Sequence, residues 1–64
     1  MRGIVKYYNA DKRFGFIESG ENEYFFHHSF TDDEVNEGDK VIFETENNER
    51  GTIAVNVKVI KNEN

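Results

Sequence analysis

Two short runs, Lys12-Arg13-Phe14-Gly15-Phe16-Ile17-Glu18 and Glu23-Tyr24-Phe25-Phe26-His27-His28, flank the turn-forming Ser19-Gly20-Glu21-Asn22 and restrict what this chain can become more than any other feature. Side chains alternate across an extended strand, so the first run places Lys12, Phe14 and Phe16 on one face and Arg13, Gly15 and Ile17 on the other. The second places Glu23, Phe25 and His27 against Tyr24, Phe26 and His28. A hairpin closed by the four-residue loop Ser19 to Asn22 brings Phe14, Phe16, Phe25 and His27 onto a common face. The opposite face, with Ile17, Tyr24 and Phe26, is also apolar. Both faces cannot line the interior of one small fold, so one ring-bearing face is expected to meet solvent. Lys12 shares the face of Phe14 and Phe16 and marks it as the outer one.

Three further stretches read as strands. Residues 2–8 (RGIVKYY) end at the turn Asn9-Ala10-Asp11, and residues 39–45 (DKVIFET) put Val41 and Phe43 on one side. Residues 52–60 alternate Ile53, Val55, Val57 and Val59 against Ala54, Asn56 and Lys58, after a turn over residues 46–51. The polar segment 29–38 has Ser29 or Thr31 placed to cap and Gly38 placed to stop, which leaves room for a single helical or 3₁₀ turn. Five short strands without a longer helix in 64 residues predict an all-β fold, a closed five-stranded antiparallel barrel, because closure hides the edges an open sheet exposes. Ile4, Val5, Ile17, Val41, Phe43, Val55 and Val57 are expected to fill it. No linker, repeat or low-complexity tract interrupts the chain; residues 1–60 are expected to form one domain and residues 61–64 a frayed tail.

Composition narrows the chemistry. With no cysteine there is neither a disulfide nor a thiolate zinc site. Neighbours in a strand point to opposite faces, so His27 and His28 cannot readily grip one metal, and Asp32-Asp33-Glu34 lacks the glycine-centred pattern of a calcium loop. Ser19 and Ser29 sit in no nucleophile elbow, and no two acids are placed as a general acid and base. The expectation is a protein that is not an enzyme and needs no cofactor or metal. No segment approaches the roughly 20 apolar residues that span a bilayer, and MRGIVKYYN is unlike a secretory signal, so a cytoplasmic protein with no membrane contact is expected.

A solvent-facing patch of rings beside cations is what an unpaired nucleic-acid strand requires. Bases stack on ring faces for about 1–3 kcal/mol each, and Lys or Arg meets the phosphates. The net charge of −5 opposes such a partner, which shifts the weight from total charge to its distribution. A protein-interaction module would use the same rings, and salt distinguishes the two, since phosphate contacts weaken as ionic strength rises and apolar ones respond little.

The ordered blocks along the chain resemble the bacterial cold-shock proteins. Lys12 to Ile17 is similar to that family's Lys-Gly-Phe-Gly-Phe-Ile motif, Tyr24 to Ser29 to its Val-Phe-Val-His-Phe-Ser motif, and Met1 to Asn9 to its opening strand. Glu37-Gly38, Val41 to Glu44, Arg50-Gly51 and Ala54 to Val57 follow in the family's order. The resemblance implies a monomeric barrel of the oligonucleotide-binding (OB) type that binds single-stranded RNA and DNA as a chaperone. It also implies base stacking by Tyr7, Phe14, Phe16, Phe25, His27 and His28, with Tyr8 stacking or shielding the barrel end. Lys6, Lys12 and Arg50 would lie near phosphates, and Asn9 would hydrogen-bond a base or the backbone. The chain departs from the family pattern at Tyr7, where tryptophan is usual, at Arg13 for a glycine and at His28 for a phenylalanine. The segment after Ser29 is also short and lacks the aromatic residue of that loop, for which Phe30 is the nearest substitute.

Overall fold

Alternation, turn chemistry and two single-residue irregularities together build the architecture. The structure, a computed structural model, describes residues 1–31, 34–49 and 51–60. Strands β1 (Arg2–Asn9), β2 (Phe14–Ser19), β3 (Asn22–His27), β4 (Lys40–Asn48) and β5 (Gly51–Val59) close into a barrel in the order β1-β2-β3-β5-β4. A 3₁₀ turn, His28–Phe30, follows β3. The barrel is all-β as expected, but its pairing is mixed: β3 and β5 run parallel and meet at Phe25↔Ile53, whereas the other pairs are antiparallel.

The β2–β3 hairpin pairs without interruption from Phe14↔His27 to Ser19↔Asn22, so its loop is the two residues Gly20-Glu21 rather than four. Gly20 takes φ 62° at the first central position. A tight hairpin turn whose twist matches its strands requires a positive φ there, and glycine supplies it without strain.

Val5, Ile17, Phe26, Val35, Val41, Phe43, Ala54 and Val57 form the core. Ile4, expected inside, is 46% exposed, because Gly3 and Val5 hold the inward positions of β1. Gly3 is inward because nothing larger fits: a Cβ there would lie 2.5 Å from Ile17 Cγ2 and 2.7 Å from the Glu18 carbonyl oxygen. Val55 is only half-buried and Ala54 takes a core place instead. The cause is a bulge in β5, where Asn56 and Val57 together oppose Phe43 between the pairs Ile42↔Lys58 and Glu44↔Val55. Asn56, at φ 52°, adopts the left-handed conformation that asparagine tolerates, and the extra residue reverses which side chains face inward. Val35, alone in a polar segment, is drawn under the barrel by backbone hydrogen bonds that tie Gly38 and Asp39 to Val5.

Candidate nucleic-acid interface

The uninterrupted β2–β3 ladder fixes which rings face which way. Phe26, fully buried, belongs to the interior, while its neighbour Phe25 is 37% exposed on the outer side. Phe16 pairs with Phe25 and Phe14 with His27, so the common face expected for these four residues is present. Centroid separations are 5.6 Å for Phe14–Phe25, 6.0 Å for Phe16–Phe25 and 6.3 Å for Phe14–Phe16, with the rings tilted or edge-on to one another. None of these three pairs is stacked face to face.

Tyr7 joins this cluster through an irregularity in β1. Val5 pairs with Ile17 and Tyr7 with Phe16, so Lys6 is an extra residue without a counterpart in β2. The bulge turns Tyr7 outward, 6.2 Å from Phe14 and 6.3 Å from Phe16, and 40% exposed. Tyr8 consequently turns the other way and lies parallel to Phe26 at 6.0 Å, half-buried against the core. Of the two roles expected for Tyr8, shielding the barrel end is the one its position fits; it is not on the outer ring face.

Gly15 sits beneath the cluster and is buried. A Cβ there would collide with the Tyr7 carbonyl oxygen and come within 2.9 Å of the Phe26 ring. Its missing side chain lets β1 approach β2 closely enough to deliver Tyr7 to the outer face.

The turn at one end of the cluster is organised by Asn9. Its Oδ1 accepts from the Lys12 amide (3.1 Å), its carbonyl accepts from the Arg13 amide (2.7 Å) and its Nδ2 donates to the Tyr7 hydroxyl (3.2 Å). Asn9 thus holds the turn and the Tyr7 ring together, a positioning role the residue pattern did not disclose. Lys12 and Arg13 lie in this turn, outside β2, so the alternation that placed Lys12 on the Phe14 face does not apply to it. Both are exposed. Arg13 has φ 62°, which is why a glycine suits the corresponding place in the motif it resembles.

His27 closes the cluster at the end of β3. Its Nδ1 accepts from the Ser29 amide (3.1 Å) and lies 3.0 Å from the Ser29 hydroxyl, so the imidazole caps the 3₁₀ turn. With Nδ1 accepting an amide proton, the neutral ring carries its own proton on Nε2. His28 lies in the 3₁₀ turn rather than in β3, half-buried, and its amide donates to the Arg13 carbonyl (2.7 Å). This bond fastens the 3₁₀ turn to the β1–β2 turn. Phe30 is 40% exposed in the same turn.

Lys6 is near the rings but engaged: its Nζ lies 2.6 Å from Glu23 Oε2. The hydrogen bond to Glu23, then the charges of Glu23 and Glu18, hold the ammonium pKa above its ordinary value. Arg50 lies outside the described residues, as do Asp32, Asp33 and the tail 61–64. Among the described residues no group of three acidic, histidine or cysteine side chains is placed to hold a metal, and no helix is long and apolar enough to cross a membrane.

An OB-type barrel with an outward ring cluster on β1, β2 and β3 defines a class, and comparison with known proteins agrees with it. The 'Cold-shock' DNA-binding domain family profile matches residues 1–60. The chain is 46% identical over 61 residues to cold shock protein CspA of Staphylococcus saprophyticus, covering 88% of this chain and 92% of that protein. It is 47% identical over 62 residues to the major cold shock protein CspA of Bacillus cereus, covering 89% and 92%. Against CspA of Staphylococcus aureus it is 44% identical over 61 residues, with the same 88% and 92% coverage. This chain belongs to the cold-shock domain family.

Proposed function

We propose that residues 1–60 act as a monomeric unit that binds single-stranded RNA or DNA with low sequence selectivity and keeps weakly paired strands open. The observation that carries this is the outward cluster of Tyr7, Phe14, Phe16 and Phe25, bordered by His27, on one sheet face of a barrel that already has a complete core. Four contiguous rings facing water weaken solubility and add little to the fold; their use lies in a ligand. Bases are such a ligand because every base has a face to stack, which also explains low selectivity. Bases inside a duplex are already stacked, so binding draws the equilibrium toward the unpaired strand without an energy source. Lys12 and Arg13, exposed in the turn that leads into Phe14, are the cations placed to meet phosphate there.

The test is titration of a fluorescently labelled oligothymidine of about seven nucleotides, within the site size of one such barrel, beside the matching duplex and at two salt concentrations. Saturable binding to the single strand alone, weaker at higher salt, is the expected result. A ring face that ignores the oligonucleotide at tens of micromolar protein, far above what stacking on several rings predicts, belongs to a protein-interaction module instead.

A further inference from the structure

The outward ring face stops at a pair of acids. Two residues beyond Phe16 and Phe25 on the same side, Glu18 and Glu23 stand directly opposite each other across β2 and β3. Like charges so placed destabilise an antiparallel pair. Lys6 offsets this from β1: it is held by Glu23 first and by Glu18 at longer range, at the bulge that also turns Tyr7 outward. Both members of the ion pair remain about half exposed, 53% for Lys6 and 48% for Glu23, so a phosphate group has access to the ammonium.

We propose that Glu23 is a built-in competitor of phosphate for Lys6. This rests on the nucleic-acid reading of the ring face and assigns that face an electrostatic polarity. At the Phe14 end, exposed Lys12 and Arg13 accept the strand's phosphates freely. At the Phe16 end the strand gains Lys6 only by displacing a carboxylate, and Glu18 repels what replaces it. Glu23 therefore holds affinity below what the rings and cations would otherwise give, and keeps the strand's firmest phosphate contacts at one end.

The experiment is a double-mutant cycle with labelled seven-nucleotide oligothymidine: wild type, Glu23→Gln, Lys6→Gln and the double variant, each titrated over a range of salt after thermal melts confirm folding. Glu23→Gln is expected to tighten binding roughly two- to fivefold at low salt, the scale of an exposed ion pair. It should also steepen the slope of log affinity against log salt by about 0.7, one additional phosphate contact on a single strand. In the Lys6→Gln background the same substitution should gain little and leave the slope unchanged. Equal gains in both backgrounds overturn the proposal, because Glu23 would then act by its charge alone and not by holding Lys6. Wild-type binding with an unimproved Glu23→Gln variant overturns it while leaving the nucleic-acid reading intact. Absence of binding by all four proteins overturns both.

Discussion

Two hairpins of this barrel, β4–β5 and β2–β3, handle water in opposite ways. In β4–β5 only Val41 and Phe43 of β4 turn inward, and Glu44 through Asn48 are exposed, with Asn56 Nδ2 donating to Glu44 Oε1 and Thr52 Oγ1 to Asn47 Oδ1. In β2–β3 the inward side carries Ile17 and Phe26 and the outward side carries Phe14, Phe16 and Phe25. The first hairpin comes close to what folding alone asks of a strand: apolar residues where there is an interior and, apart from the outward Ile42, polar ones along the rest of β4. The second exceeds that requirement, and the excess is what the proposed base-binding reading rests on. Equal hydrophobicity therefore has two meanings, and adjacent residues on opposite faces separate them.

Substitutions sharpen this contrast. The largest effect is expected from Phe26→Ala, a fully buried ring whose loss costs about 3–5 kcal/mol and, in so small a domain, should unfold most of the protein in a urea melt. Its neighbour Phe25→Ala should shift the same melt far less and weaken oligothymidine binding by about 1–3 kcal/mol, the value of one stacking ring. Equal destabilisation by the two would return Phe25 to the core. Gly15→Ala comes next: the added methyl meets the Tyr7 carbonyl and the Phe26 ring, so a loss of about 1–3 kcal/mol by overpacking is expected, with binding falling as Tyr7 is displaced. Arg13→Gly should raise stability by up to about 1 kcal/mol, since a non-glycine residue in the left-handed region is strained by about that much or more, while binding weakens through the lost cation. The smallest change belongs to the acidic hairpin. Glu46→Gln, exposed on β4, should leave the melt within about 0.5 kcal/mol and raise affinity only slightly at low salt.

The ring face and the closed barrel were legible because strict alternation survives wherever pairing is regular, as it is throughout β2–β3. What alternation alone does not disclose lies mostly at irregularities. An extra residue at Lys6 turns Tyr7 outward and Tyr8 inward, and the bulge at Asn56 exchanges Val55 for Ala54 in the core. A single inserted residue leaves no periodic trace in so short a strand, so neither reversal is visible by counting. The alternation of β2 does not reach back to Lys12, which lies two residues before the strand in a turn closed by Asn9. Val35 had no periodic neighbours to announce it. The opposition of Glu18 and Glu23, by contrast, follows directly once the hairpin register is known. A loop of two residues or of four leaves the register the same, so this pairing is contained in the residues themselves.

The parallel meeting of β3 and β5 carries a consequence for motion. Among the described residues that side of the barrel is joined by the pair Phe25↔Ile53 and the bridge Thr31↔Val57, whereas the other walls are longer ladders. A short seam is where a barrel breathes first, and opening at this one displaces a ring of the outward cluster. On the proposed reading, a base stacked on Phe25 would also act as a clasp: occupancy should slow amide exchange at Phe25, Ile53 and Thr31 more than in the middle of β2, and catching a strand and latching the barrel would be one event.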